Sequence, residues 1–136
     1  MSKAADRVWN GLVSLVMDTR NDWRRRVSEA TGLPFGRVRA LRRLYGGPLA
    51  LHELAEAMGS DAPAATVAVN DLQKRGLVVR QPHPTNGRVK LVSLTPAGRD
   101  VVARVQAITE EAPPALAALS PAELAALARV IKRLDR

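Results

Sequence analysis

"DAPAATVAVNDLQKRGLVVRQPHPTNGRVKLVSLTP", residues 61–96, decides how this chain folds. Asp61 can cap a helix that tolerates Pro63 in its first turn, because the amide that proline lacks would have had no helical partner. Ala65, Ala68, Val69 and Leu72 recur at helical spacing and form the inner stripe. Pro63, Ala64, Thr66, Val67, Asn70 and Lys74 are left to the outside. Gly76 closes the helix. Residues 77–82 and 89–94 are rich in Val and Leu and predict a two-stranded hairpin with its tip near residues 83–88. Asn86-Gly87 suits a turn that needs positive φ.

Helical patterns flank this stretch on both sides. Ala5, Val8, Leu12, Val16, Trp23 and Val27 recur near three, four and seven with no proline between them, which predicts a long amphipathic helix over residues 4–30. Gly32 ends it. Pro34 opens a second helix striped by Val38, Leu41 and Leu44, and "YGGP" (45–48) stops it. A third helix runs from about Leu49, with Leu51, Leu54, Ala55 and Met58 inward and Gly59 as its terminator. Downstream, Thr95-Pro96 is a cap followed by proline at the first helical position. Val101, Val105 and Ile108 continue that helix until Pro113-Pro114 breaks it. "SPAE" (120–123) is a capping box that starts a last helix bearing Leu124, Leu127, Ile131 and Leu134, with Arg129, Lys132 and Arg133 between them.

The expected class is therefore mainly α with a small β-hairpin wing. At 136 residues the chain suits one domain, since domains usually run to roughly 100–150 residues. Residues 34–94, in the order helix, helix, helix, hairpin, make a winged helix-turn-helix. In that arrangement one helix lies in the major groove of a duplex and the hairpin reaches toward the minor groove.

Charge points the same way. The net charge is +8, from 21 Lys and Arg against 13 Asp and Glu, which favours polyanionic partners. Between Lys74 and Leu94 there are five basic residues and no acidic one, whereas a merely solvated face mixes signs. Lys74, Arg75, Arg80 and Lys90 are expected phosphate contacts, each adding about one unit to the salt dependence of binding. His83, beside the wing tip, is expected to make a weaker one.

Residues 51–102 then resemble the core of the MarR (multiple antibiotic resistance regulator) family of bacterial transcription factors. The match is most specific at "ELAEAMG" (53–59), "LQKRGLVVR" (72–80) and "RVKLVSLTPAG" (88–98), and the flanking helices fit the family's plan over nearly the whole chain. The resemblance implies an obligate homodimer whose terminal helices, within residues 1–30 and 96–136, interlock. It also implies DNA release when a small aromatic or lipophilic compound binds between the dimer helices and the reading domain. Arg88 occupies the place of the family's minor-groove arginine. Asn86 stands where the wing usually has Asp, Asn70 where the reading helix is usually acidic, and Pro63, Ala64 and Val67 where Ser, Thr and Arg are usual.

Those departures shape the expected readout. Small apolar side chains cannot donate paired hydrogen bonds to a base, but Ala, Val and the Thr methyl can pack on a thymine methyl. The expectation is thus readout through Thr66, Asn70, methyl contacts and groove shape, with Arg88 in a narrow A·T-rich minor groove. Each bidentate contact forgone lowers discrimination by about 1–3 kcal/mol.

Val8, Leu12, Leu124, Leu127, Ile131 and Leu134 are the expected dimerisation residues, because the first helix is too long and apolar for one winged helix to cover. Two reading helices would then stand about 34–36 Å apart on a near-palindromic operator. Trp23, beside three arginines in "NDWRRRVSEA" (21–30), can stack on an aromatic carboxylate or simply pack an interface, and Met17 and Tyr45 are further pocket candidates.

Other chemistries are poorly served. There is no Cys, so disulfides, thiolate metal sites and a thiol nucleophile are excluded. His52 and His83 lie far apart, with no H-x-x-E and no G-x-S-x-G, which argues against an enzyme and against metal sensing. No cofactor is expected. The amino terminus lacks a signal-like apolar stretch and no run reaches the roughly 20 apolar residues of a membrane span, so the expected location is cytoplasmic. The function expected is a dimeric, DNA-binding repressor released by a small effector. Alternatives from other classes are a winged-helix protein-interaction module and a low-specificity architectural DNA binder.

Overall fold

The computed structural model of the chain describes residues 2–135, so Met1 and Arg136, the outermost bounds of the expected domain, lie outside the described residues. Ser2 accepts the amide of Ala5 and starts α1 (Lys3–Thr31), which Gly32 ends in the left-handed conformation at φ 68°. Then follow α2 (Phe35–Arg43), β1 (Leu49–Ala50), α3 (Leu51–Met58), α4 (Ala62–Lys74), β2 (Val78–Pro82) and β3 (Lys90–Leu94). The chain closes with α5 (Pro96–Glu110), α6 (Pro114–Ala117) and α7 (Pro121–Leu134). The caps expected at Asp61, Thr95 and Ser120 are all made, each side chain accepting an amide in the first turn of its helix.

Two expectations are corrected by the sheet. It has three antiparallel strands in the order β1-β3-β2, not two. Leu49 and Ala50 pair with Val92 and Leu91 before the chain turns into helix, so the third helix starts at Leu51 rather than Leu49. The wing tip also differs. Positive φ among the described residues falls at Gly32, Gly47, Gly59 and Gly76, and Gly87 is not among them. The loop between Pro82 and Lys90 is long enough to turn through an Asn86 carbonyl that accepts the Val89 amide at 3.0 Å, so no tight mirror-image turn is required.

The core lies where α2, α3, α4, the sheet and α5 meet. Val38, Leu41, Leu54, Val69, Leu72, Val92 and Val105 are all essentially sealed from solvent. The inner stripe of α4 is the expected one, Ala65, Ala68, Val69 and Leu72. The terminal helices contribute little to this core: α1 adds Val27 to the buried set, and α6 and α7 add nothing.

One corner fixes the sheet against α5. The Thr95 hydroxyl donates to the Gly76 carbonyl at 2.7 Å and accepts from the Gly98 amide at 3.0 Å, while the Thr95 amide donates to the Leu77 carbonyl at 3.1 Å. Helix α5 therefore starts hard against the strand that enters the wing. A methyl group added at Gly98 would stand 2.1 Å from the Leu77 carbonyl oxygen, a contact no real side chain makes.

Candidate nucleic-acid interface

Helix α4 presents Pro63, Ala64, Val67, Asn70 and Lys74 to solvent, and Thr66 is half-buried beside them. The Thr66 hydroxyl donates to the Ala62 carbonyl at 2.9 Å, which spends its proton inside the helix and leaves its methyl as an outward contact. Val67, an apolar side chain, is 58% exposed. Nothing on this face offers a long donor until Asn70.

Asn70 is held from the wing side. Arg80, on β2, donates to Asn70 Oδ1 at 2.6 Å and also to Gln73 Oε1. A single guanidinium thus joins the wing to the reading helix, ten residues apart in sequence. Two of the expected contact residues are thereby engaged with each other rather than standing free.

The inner side of α4 is fixed by a second charged group. Asp71 Oδ2 accepts from Arg37 Nε on α2 at 2.9 Å and from Arg75 Nε at 3.1 Å. Arg75, expected to meet phosphate, is therefore paired inside the chain. The Arg37 hydrogen bond, with lesser help from Arg75, holds the Asp71 carboxyl below its ordinary range against the opposing effect of burial. A depressed carboxylate contributes stability that is fully present above its unfolded range and is lost as pH falls through the folded one. Arg37→Ala should lower the melting temperature at pH 7, and its gap from the parent should close as the solution is acidified through the carboxylate range. A gap that stayed constant with pH would mean that Arg37 acts only by packing.

The wing tip has its own bonding. His83 Nδ1 lies 3.1 Å from the Thr85 amide and 3.2 Å from the Asn86 amide, so it accepts both and the ring proton sits on Nε2. His83 organises the loop from within. Asn86 Oδ1 accepts the Arg88 amide at 3.3 Å, a local bond that sets where the Arg88 side chain leaves the tip. Arg88 and Lys90 are exposed and, among the described residues, neither forms an ion pair.

A separate cleft of about 520 Å³ opens between α1 and α5, walled by Leu15, Val16, Trp23, Ile108, Pro113 and Leu116. Trp23 Nε1 donates to Thr109 Oγ1 at 3.0 Å, and Arg26 pairs with Glu111 at 2.6 Å, so α1 is fastened to the end of α5 along one rim. Of the three expected pocket residues only Trp23 lines this cleft. Met17 is 54% exposed on α1, and Tyr45 borders a different hollow against α5 with Val102 and Gln106.

Comparison with known proteins places this architecture. A family model described as "MarR family" matches residues 31–89. A putative transcriptional regulatory protein for the hcr operon of Thauera aromatica is 33% identical over 114 residues, covering 82% of this chain and 69% of the relative. The chain belongs to the MarR family.

Solved structures agree on the MarR fold. RV1404 of Mycobacterium tuberculosis superposes with a TM-score of 0.78 at 26% identity, covering 98% of this chain and 93% of its own. A MepR variant of Staphylococcus aureus bound to an oligodeoxyribonucleotide has a TM-score of 0.77 at 18% identity, covering 93% of this chain and 94% of its own. The chain is a transcriptional regulator, and MarR proteins are regulators rather than enzymes. Among the described residues no three acidic or histidine side chains cluster as metal ligands, and no helix is long and apolar enough to cross a membrane.

Arg37 and Asp71 were not anticipated as a pair. The signal was present, since Asp71 is the lone acidic residue between residues 62 and 99 in a strongly basic stretch, and such a charge invites an arginine partner. No comparable signal announces the bond from Arg80 to Asn70, which depends on how closely β2 returns along α4.

Proposed function

We propose that this MarR-family regulator works as a homodimer on near-palindromic double-stranded DNA, as a repressor released by a small aromatic or lipophilic effector. Residues 34–94 form the reading core, and the helices within residues 1–30 and 96–136 pair the subunits. The observation that carries this reading is the outward face of α4 beside an acid-free wing, with Arg88 near its tip and Lys90 at the start of β3, neither in an ion pair among the described residues. The oligonucleotide on the MepR variant supports it by likeness of fold.

Recognition follows from the side chains present. Thr66, Val67 and Ala64 suit thymine methyl groups in the major groove, and Lys74 and Lys90 suit phosphates. Arg88, carried on an exposed tip, suits a narrow minor groove, where the potential is most negative. The apolar cleft between α1 and α5 suits the effector, because it joins the helix proposed for pairing to the helix that springs from the wing.

The test is a mobility shift over a salt series, using the DNA upstream of the protein's own gene against a random duplex. The upstream fragment should bind at least about a thousandfold more tightly, the lower bound for specific sites. Arg88→Ala should weaken that binding by about tenfold or more while leaving the melting temperature unchanged. Equal affinity for both duplexes would make the chain an architectural binder. Binding to neither would favour the protein-interaction module, for which the exposure of Val67 is the supporting feature.

A further inference from the structure

On the other side of Trp23 from the apolar cleft, α1 and α2 enclose a hollow of about 470 Å³ lined by Arg20, Arg24, Arg39, Arg42 and Arg43, with Trp23 and Phe35. Five guanidiniums share this wall with no acidic residue. Among the described residues none of the five takes part in an ion pair, although Arg25, Arg26, Arg37 and Arg75 all do. The aromatic rings hold two of them in place: Arg24 lies 4.6 Å over Phe35, Arg42 lies 5.5 Å over Trp23, and the two rings meet edge to face at 5.4 Å, while Arg39 donates to the Met58 carbonyl at 2.8 Å. Such a set repels itself unless an anion sits among it.

The hollow belongs to no part of the DNA-reading surface. Its lining comes from α1 and α2 alone, with nothing from α3, α4 or the strands. Yet it is continuous with the apolar cleft, because Arg20, Trp23 and Arg42 line both. The acidic residues of the apolar side, Asp22 and Glu111, are already bonded to Arg25 and Arg26. The combined site is therefore oily at one end and cationic at the other.

From this juxtaposition we propose that the site takes an amphiphile with an apolar body and a head carrying two or more phosphoryl groups, held by the five arginines. The inference rests on the effector reading above and narrows its chemistry. A single carboxylate engages one planar guanidinium fork in bidentate fashion, whereas a diphosphate presents enough oxygens to engage several. Such a head comes either directly on an apolar chain, as in a prenyl diphosphate, or through a nucleotide, as in an acyl thioester of coenzyme A.

Calorimetric titration of the full chain, without DNA, tests this with geranyl diphosphate, decanoyl-coenzyme A, geraniol and inorganic pyrophosphate. At least one of the two phosphorylated amphiphiles should bind about tenfold or more tighter than geraniol or pyrophosphate, and the tighter of them names the source of the head. Arg24→Gln with Arg43→Gln, both outside the lining of the apolar cleft, should remove that advantage, leave geraniol binding unchanged and leave duplex binding unchanged. Geraniol binding as tightly as both amphiphiles, or an undiminished advantage in the double variant, overturns the proposal. So does a loss of duplex affinity with a shallower salt slope in that variant, which would assign the arginines to DNA phosphate. Because the titration contains no DNA, a parent protein that binds no duplex sinks the regulatory reading without touching this result.

Discussion

Leu127→Asp together with Ile131→Asp should leave the protein folded, monomeric in sedimentation and at least about a hundredfold weaker on its operator, since joining two reading heads multiplies affinity by that order. The expectation comes from surface that one subunit leaves uncovered. Val8 is 62% exposed, Ile131 61% and Leu134 72%, and Leu12, Leu124 and Leu127 are also open to water. Covering an aliphatic side chain of this size contributes about 1.5–3 kcal/mol, so a twofold contact between two such helices gains enough to hold. The Asp pair would place four charges in a dry seam, where unpaired charge is heavily penalised. Neither position belongs to the subunit's buried set, so the core should survive. A variant that stays dimeric, or a monomer that still binds tightly, would remove the terminal helices from the mechanism.

Gly98→Ala should destabilise the fold by about 3 kcal/mol, the upper end of overpacking costs, with a fall of roughly 10 °C in melting temperature. The added methyl would meet the Leu77 backbone just ahead of β2, in a corner where Thr95 is already bonded to both Gly76 and Leu77, so neither partner can yield cheaply. Gly87→Ala is the internal control. Gly87 has open space around it and does not need positive φ, so the same substitution there should be nearly silent. Equal melting temperatures for the two variants would show that α5 can shift away from the strand without loss.

The long periodic elements were legible because each pattern persists over several turns. The inner stripe of α4 and the caps at Asp61, Thr95 and Ser120 are local facts, and they appear where the residues put them. Strand β1 was not legible, since Leu49 and Ala50 are too few to show alternation and become strand only because Val92 and Leu91 lie alongside. Helix α6 escaped for the same reason, a four-residue turn after Pro113 with no stripe of its own. Among the candidate site residues, the outward face of α4 and the exposed wing were legible from spacing and charge. Their bonding partners were not, because Arg80 finds Asn70 and Arg37 finds Asp71 only once the strand and helices are stacked. The cationic hollow was legible only in part: Trp23 beside Arg24 stood out as a place for an aromatic carboxylate, but Arg39, Arg42 and Arg43 join them only once α2 packs against α1.

The bond from Arg80 to Asn70 and Gln73 also bears on how the protein copes with imperfect operators. Strand and helix are tied through one side chain, so on the proposed DNA the span from major to minor groove would be preset within a subunit. In the proposed dimer, an operator with one base pair too many between its halves would have to be met by swivelling whole subunits about their twofold axis. The tolerance for spacing would then be a property of the paired terminal helices, and evolution could retune it there without altering a single base contact.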